Sequence, residues 1–199
     1  KGLFKINNNK PQNSSIEFNR FTVENKMLSN NLFSICEDAN NNIWVTTATG
    51  FYKLSPESGL NGKLEYKAYF FISQSTSKLK NQRIVSILYD EKRNKLWLGT
   101  FFGISVYNLK DSDTLYNNSY DDFHLNEVFE HQIVYSIIKD KNDDIWFGTY
   151  GKGVYKYHPA DQNGPEKMES FSTKDGLKND HVVSLLFDNP GNLWIGTIS

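Results

Sequence analysis

The sequence has little cysteine, no long apolar segment and no excess of charge of either sign. Cys36 is the single cysteine among 199 residues, which excludes an internal disulfide and a zinc site built from several cysteines. No run of 18 apolar residues occurs, so no transmembrane helix is predicted. Lysine and arginine number 22 against 23 acidic residues, which leaves no basic excess for neutralising nucleic-acid phosphates or anionic lipids. We therefore expect neither nucleic acid nor a membrane as a direct partner.

Aromatic residues are abundant, and the tryptophans mark an internal repeat. Phe, Tyr and Trp make up 15% of the chain, and the four tryptophans are spaced by 53, 49 and 48 residues. An aspartate precedes each tryptophan by six or seven residues, and a serine precedes each aspartate by four. These residues are Ser34, Asp38, Trp44, Ser86, Asp90, Trp97, Ser136, Asp140, Trp146, Ser184, Asp188 and Trp194. Such identity within one chain predicts one local structure repeated four times.

Each repeat unit predicts four short strands. An apolar run too short for a helix comes first, then the tryptophan block, then a block that opens on glycine. A weaker alternating stretch follows at 16–21, 64–70, 122–125 and 168–171. Four strands in about 50 residues, repeated, are typical of propeller blades. The predicted fold class is all-β, a β-propeller of four-stranded antiparallel blades with essentially no helix.

The phase of the repeat predicts one β-propeller segment over residues 1–199. Strands three and four of one blade fall at 1–31, full blades at about 32–80, 81–131 and 132–180, and strands one and two of a last blade at 181–199. Either the terminal strands pair and close a four-bladed ring, or the chain is a segment of a larger, for example seven-bladed, propeller. Propellers mostly have more blades than four, which favours the segment.

Residues 182–197, Val-Val-Ser-Leu-Leu-Phe-Asp-Asn-Pro-Gly-Asn-Leu-Trp-Ile-Gly-Thr, resemble the two-component regulator propeller repeat. All four copies fit the pattern, and the first departs at Thr46, where the others have glycine. The resemblance implies a non-catalytic sensor module in the periplasmic part of a hybrid two-component histidine kinase, with an oligosaccharide as the usual signal and glycan-utilisation genes as the target. It also implies a homodimeric parent protein. The first residues have no signal-peptide pattern, so a periplasmic location is expected only for a piece of a longer protein.

The recurring polar residues are predicted to be structural. The turn from Asp140 begins like a calcium loop, but Ile145 and Gly151 stand where an EF-hand needs glycine and glutamate, so the aspartate is expected to cap the turn. The repeated serines lie in no nucleophile elbow and are expected to bond neighbouring backbone. The tryptophans are expected to pack between sheets, and the threonine after each to close its strand by a side-chain hydrogen bond. No metal site or cofactor is predicted.

A candidate ligand-binding face comes from positions where the copies differ within the shared frame. In a propeller the loops between strands two and three share a face with the linkers that enter strand one. The predicted ligand-binding residues on that face are Arg83, Phe101, Phe102, His131, Tyr150, Lys152, Lys174 and His181. Aromatic rings beside Lys, Arg and His suit a carbohydrate or an anionic sugar. The same rings could equally pack against another domain or a partner chain.

Two other function classes remain open from the sequence. A propeller glycosidase or lyase would need paired carboxylates or a Tyr-His base on one face. The recurring acidic residues belong to turns on the side opposite the variable aromatic rings, which disfavours that class. A protein-binding scaffold is the third possibility. A sensor binds glycans without turnover, an enzyme consumes them, and a scaffold ignores them.

Overall fold

The chain is built almost entirely of short antiparallel strands. The structure is a computed structural model, and it describes residues 3–6, 18–21, 31–59, 64–72, 83–109, 120–121, 126–129, 131–162 and 164–198. The strands are β1 (Leu3–Ile6), β2 (Phe18–Phe21), β3 (Leu32–Glu37), β4 (Ile43–Thr47), β5 (Gly50–Ser58), β6 (Leu64–Ile72), β7 (Ile84–Asp90), β8 (Lys95–Thr100), β9 (Gly103–Asn108), β10 (Tyr120–Asp121), β11 (Val134–Lys139), β12 (Ile145–Thr149), β13 (Val154–His158), β14 (Lys167–Phe171), β15 (Val182–Phe187) and β16 (Leu193–Thr197). One short helix, α1 (Asn126–Phe129), and a 3-10 turn at Thr173–Asp175 interrupt them.

Consecutive strands pair in sequence order, as propeller blades require. Three four-stranded sheets, β3–β6, β7–β10 and β11–β14, form the first, second and third blades. Two two-stranded sheets flank them in the sequence, β1–β2, called here the leading half-blade, and β15–β16, the trailing half-blade. The predicted all-β fold of four-stranded antiparallel blades is confirmed. Strand β10 precedes the predicted stretch 122–125, which lies outside the described residues. In the described part of the chain, no helix is long and apolar enough to cross a membrane.

An aspartate closes the turn between strands one and two and also holds the tryptophan. Asp38 Oδ1 accepts hydrogen bonds from the backbone N–H groups of Asn40 (2.9 Å) and Asn42 (3.0 Å). Its Oδ2 accepts one from the Trp44 indole at 2.7 Å. Asp140 and Asp188 bind the indoles of their own repeats at 2.9 Å each. The predicted turn cap is confirmed, and the carboxylate has a second task that fixes the indole's orientation.

The tryptophans pack between neighbouring blades, but unequally. Trp44 and Trp97 are 1% and 2% exposed, as predicted for core residues. Trp146 is half-buried, and Trp194 is 63% exposed, so the prediction that every copy is buried is wrong for Trp194. The reason is that cover comes from the next blade: Trp44 packs against Ile84 of the second blade. No described strand follows β16 to cover Trp194.

Two of the repeated serines, Ser86 and Ser136, join neighbouring blades by side-chain hydrogen bonds, which confirms the structural role predicted for them. Ser86 Oγ donates a hydrogen bond to the carbonyl oxygen of Val134 at 2.8 Å, across the interface of the second and third blades. Ser136 Oγ accepts one from the backbone N–H of Leu185 at 3.1 Å. A methyl group at Gly99 would overlap both Ser86 Oγ and the Val134 carbonyl, so glycine is required by the close approach of the strands.

Candidate functional site

Threonine hydroxyls shape the loops between strands two and three. Thr100 Oγ1 donates to the carbonyl oxygen of Gly103 at 3.0 Å and accepts from the Phe102 N–H at 3.0 Å. Thr149 Oγ1 makes the equivalent bonds, to the Gly153 carbonyl oxygen at 2.8 Å and from the Lys152 N–H at 3.2 Å. The predicted strand-closing threonine is confirmed. It also holds the two variable loops in a defined shape.

Backbone hydrogen bonds brace these loops against the linkers that enter strand one. The Phe101 N–H donates to the Arg83 carbonyl oxygen at 3.2 Å, and the Tyr150 N–H donates to the Ile133 carbonyl oxygen at 2.9 Å. Asp180, in the linker that enters the trailing half-blade, accepts from Gly151 at 2.9 Å through its carbonyl oxygen. A loop therefore bonds both to its own blade's linker and to that of the next blade.

Two aromatic–histidine pairs lie on this braced surface. Phe102 and His131 meet edge to face with ring centroids 6.4 Å apart, and Tyr150 and His181 do the same at 4.3 Å. Each pair joins the loop of one blade to the linker entering the next. The Phe102 and Tyr150 side chains are 53% and 41% exposed, so these rings are partly open to a ligand. We call the surface formed by these four residues with Phe101 the loop face.

The predicted cationic residues are placed differently from one another. The Arg83 guanidinium lies 5.5 Å above the centroid of the Phe101 ring. Lys152 is exposed, and its Nζ donates to the Val128 carbonyl oxygen in α1 at 3.1 Å. Lys174 is exposed in the 3-10 turn between β14 and β15, where its backbone N–H donates to Ser172 Oγ at 3.3 Å. Arg83 thus contacts the loop face through Phe101, whereas Lys174 lies on the linker that enters the trailing half-blade.

Hydrogen bonding sets the tautomer of His181. Its Nδ1 and its backbone N–H both lie 2.8 Å from the side-chain oxygen of Asn179. Because an amide oxygen only accepts hydrogen bonds, Nδ1 carries the proton in the neutral ring, and Nε2 is then an acceptor. A neutral His181 therefore presents an acceptor suited to a hydroxyl donor.

Sequence reasoning missed one aromatic member of this surface. The Tyr135 ring packs edge to face against Tyr150 at 5.9 Å. Tyr135 occupies a strand-one position that is Phe33, Val85 and Val183 in the other copies. Among the four equivalent residues only Tyr135 carries a polar group. That difference between the copies could have identified it as a residue of this surface.

The opposite end of the blades is held by ion pairs. Asp90 is buried and pairs with Arg93 at 2.7 Å and with Lys139 of the third blade at 3.4 Å. Asp143 pairs with Lys92 of the second blade at 2.9 Å and with Lys139 at 3.2 Å. Hydrogen bonds from these two lysines lower the pKa of Asp143 below its usual 3.8. These acidic groups serve the contact between blades. Among the described residues, no cluster of His, Cys, Asp or Glu is arranged to hold a metal ion.

Comparison with known proteins agrees with this architecture. The two-component regulator propeller family matches residues 26–49, 129–151 and 176–199, which contain strands one and two of the first blade, the third blade and the trailing half-blade. The chain is 29% identical over 104 residues to Histidine kinase P4 of Formosa agariphila. The aligned region covers 52% of this chain and 8% of that protein.

Two solved structures with the same fold are extracellular domains. One, from a hybrid two component system of B. thetaiotaomicron, has a TM-score of 0.58 and 27% identity and covers 85% of this chain and 20% of that chain. Another from the same organism has a TM-score of 0.63 and 23% identity and covers 91% and 22%. The chain therefore spans less than a quarter of the length of each of these relatives. The chain therefore carries two-component regulator propeller repeats, and the three matched segments form strands one and two of the blades described above.

Proposed function

We propose that this chain is a ligand-sensing part of the periplasmic region of a hybrid two-component histidine kinase, and that its ligand is an oligosaccharide. The family match, the similarity to a histidine kinase and the extracellular domains among the structural relatives support this proposal. In the proposed pathway the parent protein is a homodimer, the chain itself catalyses no reaction, and ligand binding controls transcription of glycan-utilisation genes.

The observation that carries the proposal is the repetition of an aromatic–histidine pair at two adjacent blade interfaces. Phe102 with His131 and Tyr150 with His181 each present a partly exposed ring beside a polar nitrogen. A flat ring packs against the C–H face of a pyranose, and a nearby nitrogen or amide binds its hydroxyls. A ligand that contacts both pairs must extend across the third blade's first strand, which favours an oligosaccharide over a single sugar.

Charge on the same surface suggests which sugars would bind best. Arg83 and Lys152 are exposed next to the loop face. Arg83 contacts the Phe101 ring and Lys152 donates to a backbone carbonyl, and among the described residues no acidic side chain forms an ion pair with either of them. A guanidinium and an ammonium bind carboxylate or sulfate groups through charge-assisted hydrogen bonds. We therefore propose acidic or sulfated oligosaccharides as the preferred class.

The loop face could transmit a signal because it spans contacts between blades. A ligand bound to Tyr150 and His181 touches the third blade and the trailing half-blade at once. Binding shifts a conformational equilibrium only if the ligand has different affinity for the two geometries. A ligand that bridges two elements meets this condition, since its contacts depend on their relative position.

A glycan array followed by product analysis tests the proposal. We expect the chain to bind a subset of acidic oligosaccharides and to leave them intact after prolonged incubation, as judged by chromatography. Cleavage of a bound glycan would establish the glycosidase or lyase alternative. Absence of binding to every oligosaccharide on the array would contradict the sensing proposal and favour the protein-binding scaffold.

A further inference from the structure

The two aromatic–histidine pairs of the loop face differ in the groups that surround them. Phe102 and His131 form the pair between the second and third blades. The Phe101 ring, next to Phe102 in the loop, has the Arg83 guanidinium 5.5 Å from its centroid. Arg83 is exposed, so its charge is open to a ligand. A positive charge therefore flanks this pair on the side of the second blade.

A second cation approaches the same pair from the third blade. Lys152 belongs to the third blade's loop, but its Nζ donates to the carbonyl oxygen of Val128, three residues before His131 in the linker, at 3.1 Å. The second blade's loop lies against the same segment, because a β-carbon on Gly103 would stand 3.1 Å from the Phe129 carbonyl oxygen. The ammonium group therefore lies near the linker that supplies the histidine of this pair. We call Arg83, Phe102, His131 and Lys152 the cationic subsite.

The loop of the third blade is one residue longer than the loops of the first two blades. Two residues, Ala48-Thr49 or Phe101-Phe102, separate the strand-closing threonine from the next strand's glycine in those blades, whereas Tyr150-Gly151-Lys152 do so in the third. Gly151 has a φ of 106°, in the region that favours glycine. The longer loop therefore places bare backbone beside the Tyr150 ring.

Uncharged hydrogen-bonding groups converge over Gly151. A β-carbon at this position would stand 3.9 Å from both Gln132 Oε1 and His181 Nε2. Outside the loop itself, no other described atom lies within 4 Å of that point, so the space above the glycine is open. Gln132 Oε1 is buried and accepts no hydrogen bond from any described residue. Because the last torsion of a glutamine side chain is soft, the amide can turn to meet a ligand.

The described contacts of the pair formed by Tyr150 and His181 are also uncharged. The Tyr135 ring packs against Tyr150 with centroids 5.9 Å apart. The carboxylate of Asp180 accepts hydrogen bonds from the Thr173 N–H at 2.6 Å and from the Thr173 hydroxyl at 3.0 Å, so it is satisfied within the linker. We call Gln132, Tyr135, Tyr150, Gly151 and His181 the neutral subsite.

We infer that the loop face binds an oligosaccharide in one direction, with an anionic sugar in the cationic subsite and an uncharged, hydroxyl-rich sugar in the neutral subsite. The inference rests on the proposed function and specifies how its ligand is oriented. A carboxylate or sulfate gains charge-assisted hydrogen bonds from the guanidinium and the ammonium. A sugar hydroxyl donates to His181 Nε2 and bonds the Gln132 amide. An anionic group placed there would lose water without gaining a described cation, which is unfavourable.

An array of matched oligosaccharides tests the orientation. It carries trimers of galacturonic acid, mannuronic acid and sulfated galactose, each beside the uncharged trimer made by carboxyl reduction or desulfation. Arg83→Gln should weaken binding of the charged trimers by about tenfold or more and that of the uncharged trimers by less than about threefold. Gln132→Leu should weaken both kinds by the same factor, because it removes a contact with the uncharged sugar. Lys141→Gln, an exposed charge change in the turn before β12, should alter neither.

The outcomes separate the orientation from the proposed function. Equal weakening of charged and uncharged trimers by Arg83→Gln would overturn the orientation and leave sugar sensing intact. Loss of the preference for charged trimers in Gln132→Leu would do the same. Binding of no trimer by the unaltered chain would contradict the orientation and the proposed function together.

Two minimal probes locate the subsites in the unaltered chain. Nuclear magnetic resonance follows the ring signals of His131 and His181 during titration with sodium sulfate, against sodium chloride at equal ionic strength, and separately with methyl β-glucoside. Sulfate should shift the His131 signals and leave those of His181 in place, and the glucoside should shift His181 more than His131. A larger response of His181 to sulfate would overturn the inference, as would no response of either ring to either probe.

Discussion

The same residue type has different energetic weight in different copies of the repeat, because burial depends on the next blade. Trp44 is buried among Phe51, Ile87 and Tyr107, whereas Trp146 is half-buried and lines a cavity of about 320 Å³ together with Leu193 and Ile195 of β16. Trp44→Ala should lower the free energy of unfolding by about 3–5 kcal/mol, through lost burial and a new cavity. Trp146→Ala should cost roughly half as much, since the loss scales with the apolar area buried. Urea unfolding in dilute solution measures both, and a Trp146→Ala cost equal to that of Trp44→Ala would contradict the burial difference.

The lone cysteine is predicted to be chemically inert. Burial, with a smaller contribution from the charge of Asp38, raises the pKa of the Cys36 thiol to about 12. At pH 8 the thiolate fraction is then on the order of a thousandfold below that of an ordinary cysteine with a pKa of about 8.5. Iodoacetamide labelling followed by mass spectrometry should be slow in the folded chain. It should be fast in about 8 M urea, which unfolds the chain and exposes the thiol. Rapid labelling of the folded chain would show that the thiol is accessible.

Contacts between blades depend on how closely their inner strands approach. Ser86→Ala removes one hydrogen bond to the Val134 carbonyl and should cost about 1 kcal/mol. Gly99→Ala introduces a methyl group into the space held by Ser86 Oγ and that carbonyl, and should cost about 1–3 kcal/mol. Ser86→Ala combined with Gly99→Ala should not recover stability, because the backbone carbonyl still blocks the methyl group. If the double variant instead regained the melting temperature of the unaltered chain, the Ser86 side chain and not the Val134 carbonyl would be the reason that position 99 requires glycine.

Ion pairs between the second and third blades make part of the stability depend on pH. The lysine hydrogen bonds lower the pKa of Asp143 in the folded state, so its contribution is fully present above the unfolded value of about 3.9 and is lost as the pH falls through the lower folded value. Asp143→Asn should therefore be less stable than the unaltered chain at pH 7 and nearly equal to it once the pH is below the lowered pKa of Asp143 in the folded state. Urea midpoints across pH measure the difference, and a difference that does not change with pH would exclude this pair as its source.

Over the whole molecule, the repeated sequence predicted the strands and turns of each blade and the kind of residue that packs between blades, and it could not predict how fully each copy is covered by its neighbour. The recurring aspartate and tryptophan, six or seven residues apart as in Asp38 and Trp44, marked a turn and a strand, because both structures depend on residues close together in the chain. The exposure of Trp194 was not predictable from its repeat, because the residues around it match those around the buried tryptophans. Only the presence of an adjoining blade determines whether the ring is buried. The phase of the repeat indicated one face for Tyr150 and His181. Their ring contact depends on packing between elements some 30 residues apart in the chain.

The claim that most needs testing is that ligand binds on the loop face. Calorimetric titration with an oligosaccharide chosen from the array should compare Tyr150→Ala with Tyr150→Phe, which keeps the ring, and with Lys92→Ala at the opposite end of the blades. We expect Tyr150→Ala to weaken binding at least tenfold, a loss of about 1.4 kcal/mol or more, and both other variants to stay within about threefold of the unaltered chain. Unchanged affinity for Tyr150→Ala, with a loss for Lys92→Ala, would contradict the account and move the site to the other end of the propeller.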